Sequence, residues 1–308
     1  MDHLWERSIP LYKISKYDLN SIFHNFNSST VLKFQPINIG CRNTNYIVQT
    51  NSGKYLLRIC PLNDEGFKNE VAAFKALYDL VNMPKLLSIT KVNENSCLIY
   101  EYIESMSMQS LLLENQILEN NVISQVARSA AIIHNLNEDD ISGLNELDLP
   151  PFDTWYDLFL NNDFAAKRLG ADTVNRVKKL VTDHNQLILQ IDLYNSFIHC
   201  DFRPANMLIN KEDKVFFVDW EYAGFGHTLA DIGQFFRYEH CFNKEQKRLF
   251  EKEYNSVAKI KLPRNWYDLS KLRDLVNPLQ MIGSNRELPQ KFRDLKGIVI
   301  DTLEYFGY

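Results

Sequence analysis

The chain has 308 residues, 45% of them hydrophobic and 24% charged, an ordinary globular composition that at roughly 150 residues per domain points to two packed units. Its 34 Lys plus Arg against 39 Asp plus Glu leave a formal net charge of -5, so the broad cationic footprint of a nucleic-acid binder is missing and no nucleic-acid partner is expected. No apolar run reaches the roughly 18 to 20 residues that cross a bilayer, and Met1-Asp2-His3-Leu4-Trp5-Glu6-Arg7 is not a basic region leading into an apolar core; no membrane association and a cytoplasmic location are expected.

In chain order, the first expected strand is Leu32 to Ile39 and the second Asn45 to Thr50, with Asn51-Ser52-Gly53 supplying the turn into a third, Lys54 to Ile59, that Pro61 ends. Asp64 to Leu80 carries Phe67, Val71, Phe74, Leu77 and Leu80 at spacings of three and four, the apolar face of a helix. Leu86 to Val92 and Ser96 to Tyr102 complete a small sheet. Beyond Ile103 the pattern turns helical: Gln109 to Leu118, Val122 to Leu136, Thr154 to Arg168, Thr173 to Leu193, and several segments after Thr228. One strand-rich island, Met207 to Asp219, interrupts them. Cys41, Cys60, Cys97, Cys200 and Cys241 form an odd set without a Cys-x-x-Cys pair, which argues against a disulfide framework and a thiolate zinc site.

The chemistry concentrates around that island. His199-Cys200-Asp201-Phe202-Arg203-Pro204-Ala205-Asn206 has the form H-x-D-x-x-x-x-N in a polar loop between apolar stretches, and Asp219 closes Val215 to Val218. Phosphoryl transfer to an alcohol needs a carboxylate beside the attacking hydroxyl and oxygen ligands for the magnesium that neutralises the triphosphate. Asp201, Asn206 and Asp219 supply that set, and one Asp plus one Asn suits a hard ion whose remaining ligands come from nucleotide and water.

These residues, followed by Trp220-Glu221-Tyr222-Ala223-Gly224, resemble the aminoglycoside phosphotransferase and choline kinase superfamily, relatives of the eukaryotic protein kinases, over about Ile37 to Arg237. The resemblance implies an α+β, bilobal protein-kinase-like fold, with an antiparallel sheet lobe at residues 1–102 that binds nucleotide. A larger helical lobe at residues 103–308 would carry catalysis and acceptor binding. It implies Asp201 as catalytic base or orienter of the acceptor hydroxyl, Asn206 and Asp219 as Mg²⁺ ligands, and His199 as a brace for the loop. Gly40-Cys41-Arg42-Asn43-Thr44-Asn45-Tyr46 stands where the nucleotide loop should lie, with Gly40 and Asn43 as candidate contacts. Arg58 takes the place of the cation on the third strand that meets the α and β phosphates, with Glu70 as its expected partner and Glu65 as runner-up. Backbone groups near Glu101 and Ile103 would pair with adenine or guanine, and Asp231 would support the catalytic region.

The long helical stretch between Ile133-His134 and His199, and Trp220-Glu221 in place of Phe-Gly after Asp219, resemble the small-molecule kinases. The expected reaction moves the γ-phosphoryl group of ATP or GTP, with Mg²⁺, to a hydroxyl of a small, cationic acceptor: an aminoglycoside-type antibiotic first, with antibiotic resistance as the consequence, and choline or thiamine second. A cationic acceptor would need acidic walls, for which Asp153, Asp157, Asp163, Glu239, Asp301 and Glu304 are candidates. A nucleotide-binding pseudokinase adaptor is the alternative from a different class. The presence of Arg58, Asp201, Asn206 and Asp219 together argues against it.

Overall fold

The computed structural model describes residues 2–38, 40–144 and 151–308, so Ile39, the end of the first expected strand, lies outside the described residues. Ahead of the sheet stands a helix absent from the expected elements, α1 (Lys16–Asn27), which starts where the Ser15 hydroxyl accepts the Asp18 N–H. Only Leu19, Ile22 and Phe23 of its 12 residues are buried, a stripe too thin to advertise a helix by periodicity.

The sheet contains β1 (Val31–Ile37), β2 (Thr44–Thr50) and β3 (Lys54–Ile59), then, after α2 (Gly66–Leu77), β4 (Leu86–Val92) and β5 (Asn95–Glu101). They hydrogen-bond in the order β1-β2-β3-β5-β4, every neighbour antiparallel. Alternation sorts the side chains. Tyr46, Val48, Leu57, Ile59, Cys97 and Ile99 join Leu19 and Phe23 of α1 in one core, while Leu98 and Tyr100 on the opposite face meet Phe67 and Val71 of α2. The register sets Arg58 opposite Asn45 and Leu98, which puts it on the α2 face.

Past Glu101 the chain enters β6 (Ser105–Ser107), which pairs with a strand of the second lobe. Then come α3 (Met108–Leu113), α4 (Asn120–His134), α5 (Phe152–Leu160), α6 (Asp163–Leu169), α7 (Ala171–Asp183) and α8 (Asn185–Ile188). The expected helix from Thr154 to Arg168 is therefore two, because the Asn162 side chain accepts the Ala165 N–H at 3.0 Å and caps a second start. The stretch Thr173 to Leu193 likewise breaks after Asp183, and the expected Gln109 to Leu118 helix stops early, where Asn115 takes a left-handed φ of 56°.

Next are β7 (Asn195–Ile198), β8 (Met207–Asn210), β9 (Val215–Phe217) and β10 (Gly224–His227), then α9 (Thr228–Phe235), α10 (Lys244–Val257), α11 (Trp266–Ile282) and α12 (Pro289–Tyr305). β7 pairs with β10, and β8 joins β6 to β9. These short ladders fix both ends of the His199 to Asn206 loop and of the Asp219 turn. α4 lies on α10, and α9 on α11. All five cysteines are free.

Gly233 allows the close approach of α9 to α11, since a Cβ there would stand 2.3 Å from the Ser270 carbonyl oxygen and 2.8 Å from Asp274 Cβ. Gly233→Ala is expected to destabilise the protein by about 1–3 kcal/mol, as overpacking against backbone does, and the denaturant midpoint should fall accordingly.

Candidate active site

The His199 loop is held from below by α9. Asp231, fully buried, accepts the His199 N–H at 2.8 Å, the Cys200 N–H at 2.9 Å and lies 3.2 Å from His134 Nε2. Gln234 accepts the Phe202 N–H at 2.7 Å and donates to the Cys200 carbonyl at 2.9 Å. Two loop amides converge on one carboxylate because Cys200 takes a left-handed φ of 65°. The His199 ring lies tilted against Trp220 with centroids 4.3 Å apart, its Nε2 is 3.1 Å from the Val218 carbonyl, and its Nδ1 accepts the Asp201 N–H at 3.3 Å. Burial lowers the imidazole pKa, and a neutral ring with hydrogen on Nε2 satisfies both contacts. Asp231→Ala would orphan two buried amides at about 1–3 kcal/mol each; loss of stability of that order, with a fall in kcat as Asp201 loses its mooring, is the expected result in equilibrium unfolding and turnover assays.

At the loop's crest the Asp201 carboxylate receives Arg203 Nε at 2.5 Å on Oδ1, and Arg203 Nη2 at 2.7 Å and Asn206 Nδ2 at 2.7 Å on Oδ2. Asn206 Nδ2 also reaches the Asp201 carbonyl at 2.9 Å. Desolvation, then the negative charge of Asp219, pushes the Asp201 carboxyl up to about 7, against the Asn206 hydrogen bond. The two-point contact with Arg203 further favours the charged form.

Asp219 follows β9 at a left-handed φ of 71°, which aims its side chain back toward the sheet lobe. Its Oδ1 lies 2.9 Å from Arg58 Nη1, and the same nitrogen is 2.8 Å from both oxygens of Glu70 in α2. Tyr100 Oη donates to Glu70 at 2.7 Å, and Arg58 Nε to Asn45 at 3.2 Å. Burial alone would lower the guanidinium pKa; the Glu70 and then the Asp219 carboxylates outweigh it and raise it well above the usual value. Glu65 instead makes a surface pair with Lys68 at 2.6 Å.

Gly40 has a φ of 112°, open to glycine, and its carbonyl accepts Arg7 Nη1 at 2.5 Å, while Arg7 Nη2 donates to the carbonyls of Arg42 at 3.0 Å and Asn43 at 2.9 Å. Asn43 is buried, with its amide donating to Glu221 at 2.8 Å and its Oδ1 lacking a partner among the described residues. Burial, then Asp219, pushes the Glu221 carboxyl up to about 7. At the lobe junction the Glu101 N–H is bonded to the Lys85 carbonyl at 3.0 Å and its carboxylate accepts the Lys85 N–H at 2.7 Å. The Ile103 carbonyl accepts from Ser105 Oγ at 3.1 Å.

Three side chains with no assigned role in the sequence reading stand on this side of the site: Arg203, which holds Asp201, and from the two chain ends Trp5 and Lys291. Trp5 Nε1 donates to Asp294 at 2.9 Å, with the Arg203 guanidinium 5.8 Å and the Lys291 ammonium 4.6 Å from its ring centre. Arg203, two positions after Asp201, had a local signal, since a turn of that loop can fold it back. Trp5 and Lys291 had none.

A sheet lobe with a buried Arg–Glu pair, joined to a helical lobe presenting two aspartates and an asparagine at the junction, is the kinase-like architecture of phosphotransferases. Residues 33–258 match the phosphotransferase enzyme family, and the chain belongs to that family. It is 22% identical over 204 residues, 66% of this chain and 74% of the relative, to the protein LicA homolog of Mycoplasma capricolum subsp. capricolum. Among solved structures it is similar to choline kinase LicA from Streptococcus pneumoniae (TM-score 0.66, 16% identity, 94% of this chain and 99% of that one). It is also similar to the AMP-bound spectinomycin phosphotransferase APH(9)-Ia (TM-score 0.70, 15% identity, 96% and 100%) and to aminoglycoside phosphotransferase APH(4)-Ia (TM-score 0.69, 14% identity, 94% and 99%).

Proposed function

We propose that this protein is a Mg²⁺-dependent kinase that moves the γ-phosphoryl group of ATP or GTP to a hydroxyl of a small molecule. The observation that carries the reading is the convergence, from four separate elements, of Asp201, Asn206, Asp219 and the Arg58–Glu70 pair at the lobe junction. Asn206 Oδ1 and Asp219 Oδ2 have no hydrogen bond among the described residues, and an amide oxygen with a carboxylate oxygen is a donor set that fits Mg²⁺. When bound, the ion neutralises phosphate charge.

In the reaction Asp201 orients the acceptor hydroxyl and takes its proton as the new O–P bond forms and the bond from the γ-phosphorus to the β,γ-bridging oxygen breaks. Arg58 meets the α and β phosphates, the Gly40 to Asn43 loop covers them, and the base lies along Glu101 and Ile103. With the Glu101 N–H held by Lys85, the Ile103 N–H remains a candidate donor for the base. Residues 1–102 form the nucleotide lobe, and residues 103–308 the catalytic and acceptor lobe. No helix among the described residues is long and apolar enough to cross a membrane, and a cytoplasmic site of action suits a consumer of ATP or GTP.

The named relatives include kinases of both cationic acceptor classes, aminoglycosides and choline, and so support that branch of the reading evenly. The acid wall such a cation would need gains nothing from Glu239, whose carboxylate is bound by Lys247 at 2.8 Å and Lys271 at 3.0 Å. Consumption of ATP and GTP against a panel of hydroxylated antibiotics and metabolites, with Mg²⁺ and with excess EDTA, tests the reaction: acceptor-dependent turnover that EDTA abolishes is expected, and turnover that EDTA leaves intact would refute the metal assignment.

A further inference from the structure

The stretch from Trp5 to Ile9 is bonded to both lobes. Toward the helical lobe, the Glu6 carboxylate accepts the Gln290 N–H at 2.8 Å and the Lys291 N–H at 3.0 Å at the start of α12. Trp5 Nε1 donates to Asp294 at 2.9 Å, and Arg286 Nη1 to the Ser8 carbonyl at 2.7 Å. Toward the sheet lobe the stretch meets the turn between β1 and β2. Arg7 Nη1 donates to the Gly40 carbonyl at 2.5 Å, and Arg7 Nη2 to those of Arg42 at 3.0 Å and Asn43 at 2.9 Å. The Cys41 carbonyl accepts the Ser8 N–H at 3.0 Å, the Ile9 N–H at 3.2 Å and Ser8 Oγ at 3.0 Å. Arg7 Nε returns to the Ile9 carbonyl at 3.0 Å, which fixes the plane of the guanidinium.

Four consecutive carbonyls, Gly40 to Asn43, are therefore held by the N-terminal stretch. In a planar trans peptide the N–H points away from the carbonyl, so the N–H groups of Cys41, Arg42 and Asn43 are turned from that stretch. None of them has a hydrogen bond among the described residues. Successive backbone N–H groups presented in this way form a cradle for an anion. The turn also reaches the surroundings of Asp219, since Asn43 Nδ2 donates to Glu221, two positions further on, at 2.8 Å. Fixing the carbonyls in advance spares the nucleotide the entropy of ordering the turn.

We propose that Arg7 is a positioning residue for phosphoryl transfer: by holding the carbonyls of Gly40, Arg42 and Asn43 it turns the amides of the nucleotide loop toward the triphosphate, and Glu6 anchors that hold to the helical lobe. The proposal rests on the kinase reading of the site and deepens it. Arg7 acts through the backbone and not as a charge on the phosphates, because all three of its nitrogens already donate to carbonyls. A planar fork can serve several carbonyls at once, and a lysine ammonium cannot reproduce it.

The test uses the full chain with Mg²⁺ and reads two dissociation constants by calorimetry. One is for a non-hydrolysable ATP or GTP analogue, whichever the wild type binds more tightly; the other is for the matching nucleoside. Melting midpoints verify that each variant is folded. Arg7→Met should weaken the analogue about tenfold and change the nucleoside less than about twofold, since the nucleoside has no phosphate for the loop to hold. Arg7→Lys keeps the charge and should still weaken the analogue by about fivefold or more. Glu6→Ala should weaken it by about threefold, and the double variant Glu6→Ala/Arg7→Met should lie within about twofold of Arg7→Met alone, because the two residues act in series.

An Arg7→Lys variant that binds the analogue like the wild type would make Arg7 a charge on the phosphates and overturn the proposal; that variant decides alone if Arg7→Met does not fold. So would an Arg7→Met variant that leaves the analogue unaffected or weakens the nucleoside equally. Effects of Glu6→Ala and Arg7→Met that multiply in the double variant would overturn the anchoring. A wild-type protein that binds neither analogue would instead sink the kinase reading beneath it.

Discussion

Asp201→Asn is expected to lower kcat about 1,000-fold, within the range that general-base positioning supplies, while the affinity for nucleotide changes less than twofold. The asparagine keeps the shape and can still meet Asn206, so the fold should survive. It loses the ability to take a proton, and it loses the two-point contact that now holds Arg203 at 2.5 Å and 2.7 Å. The pH profile carries the same signature. Burial and then Asp219 push the Asp201 carboxyl up to about 7, and a base must be deprotonated to work, so kcat/KM should fall as pH drops through the region just below 7. Mg²⁺ held by Asp219, as proposed, would remove part of that repulsion, so the break should then move to lower pH as metal is added. In Asp201→Asn the acid limb should vanish. Steady-state kinetics from pH 5 to pH 9, at several Mg²⁺ concentrations, measures both.

Arg58→Met carries the second large effect, on stability as well as on binding. Its guanidinium lies with Glu70 at 2.8 Å and Asp219 at 2.9 Å, and both the Arg58 and the Glu70 side chains are only 6% exposed. Removing one partner of a buried pair leaves the other uncompensated, at a cost of about 3–5 kcal/mol. The unfolding free energy in denaturant should fall by that order, and, on the proposed role of Arg58 at the phosphates, the affinity for nucleotide should weaken at least tenfold. Glu70→Gln should cost less stability: Asp219 still pairs with Arg58, and the amide can still accept from Tyr100 Oη. Equal losses in the two variants would mean that the pair contributes through packing and not through charge.

What the sequence disclosed follows from how far each feature reaches along the chain. β3 and β4 were legible to the residue, Lys54–Ile59 and Leu86–Val92, because alternation is a local pattern bounded by turn chemistry. Helix ends in the second lobe were not, since side chains such as Asn162 restart the chain in a way periodicity averages over. Asp201, Asn206 and Asp219 stand close together in sequence, and phosphoryl transfer demands those residue types, so the proposed set could be assembled from the sequence, and the structure puts the Asn206 amide on the Asp201 carboxylate. The grip of Asp231 on the His199 and Cys200 amides, and the Glu221 to Asn43 contact, depend on segments meeting in space. Trp5 and Asp294, at opposite ends of the chain, meet only once α12 has packed, and nothing in either local sequence announces that contact.

The most direct test of the central claim follows the fate of the γ-phosphate itself. With Mg²⁺ and ATP labelled at the γ-phosphorus, in the presence of an acceptor that stimulates nucleotide consumption, the label should appear in an acid-stable organic phosphate at one equivalent per ADP formed, and Asp201→Asn should reduce that transfer about 1,000-fold. Label released only as inorganic phosphate, at the same rate in the wild type and in Asp201→Asn, would contradict the assignment of this site to phosphoryl transfer onto an alcohol.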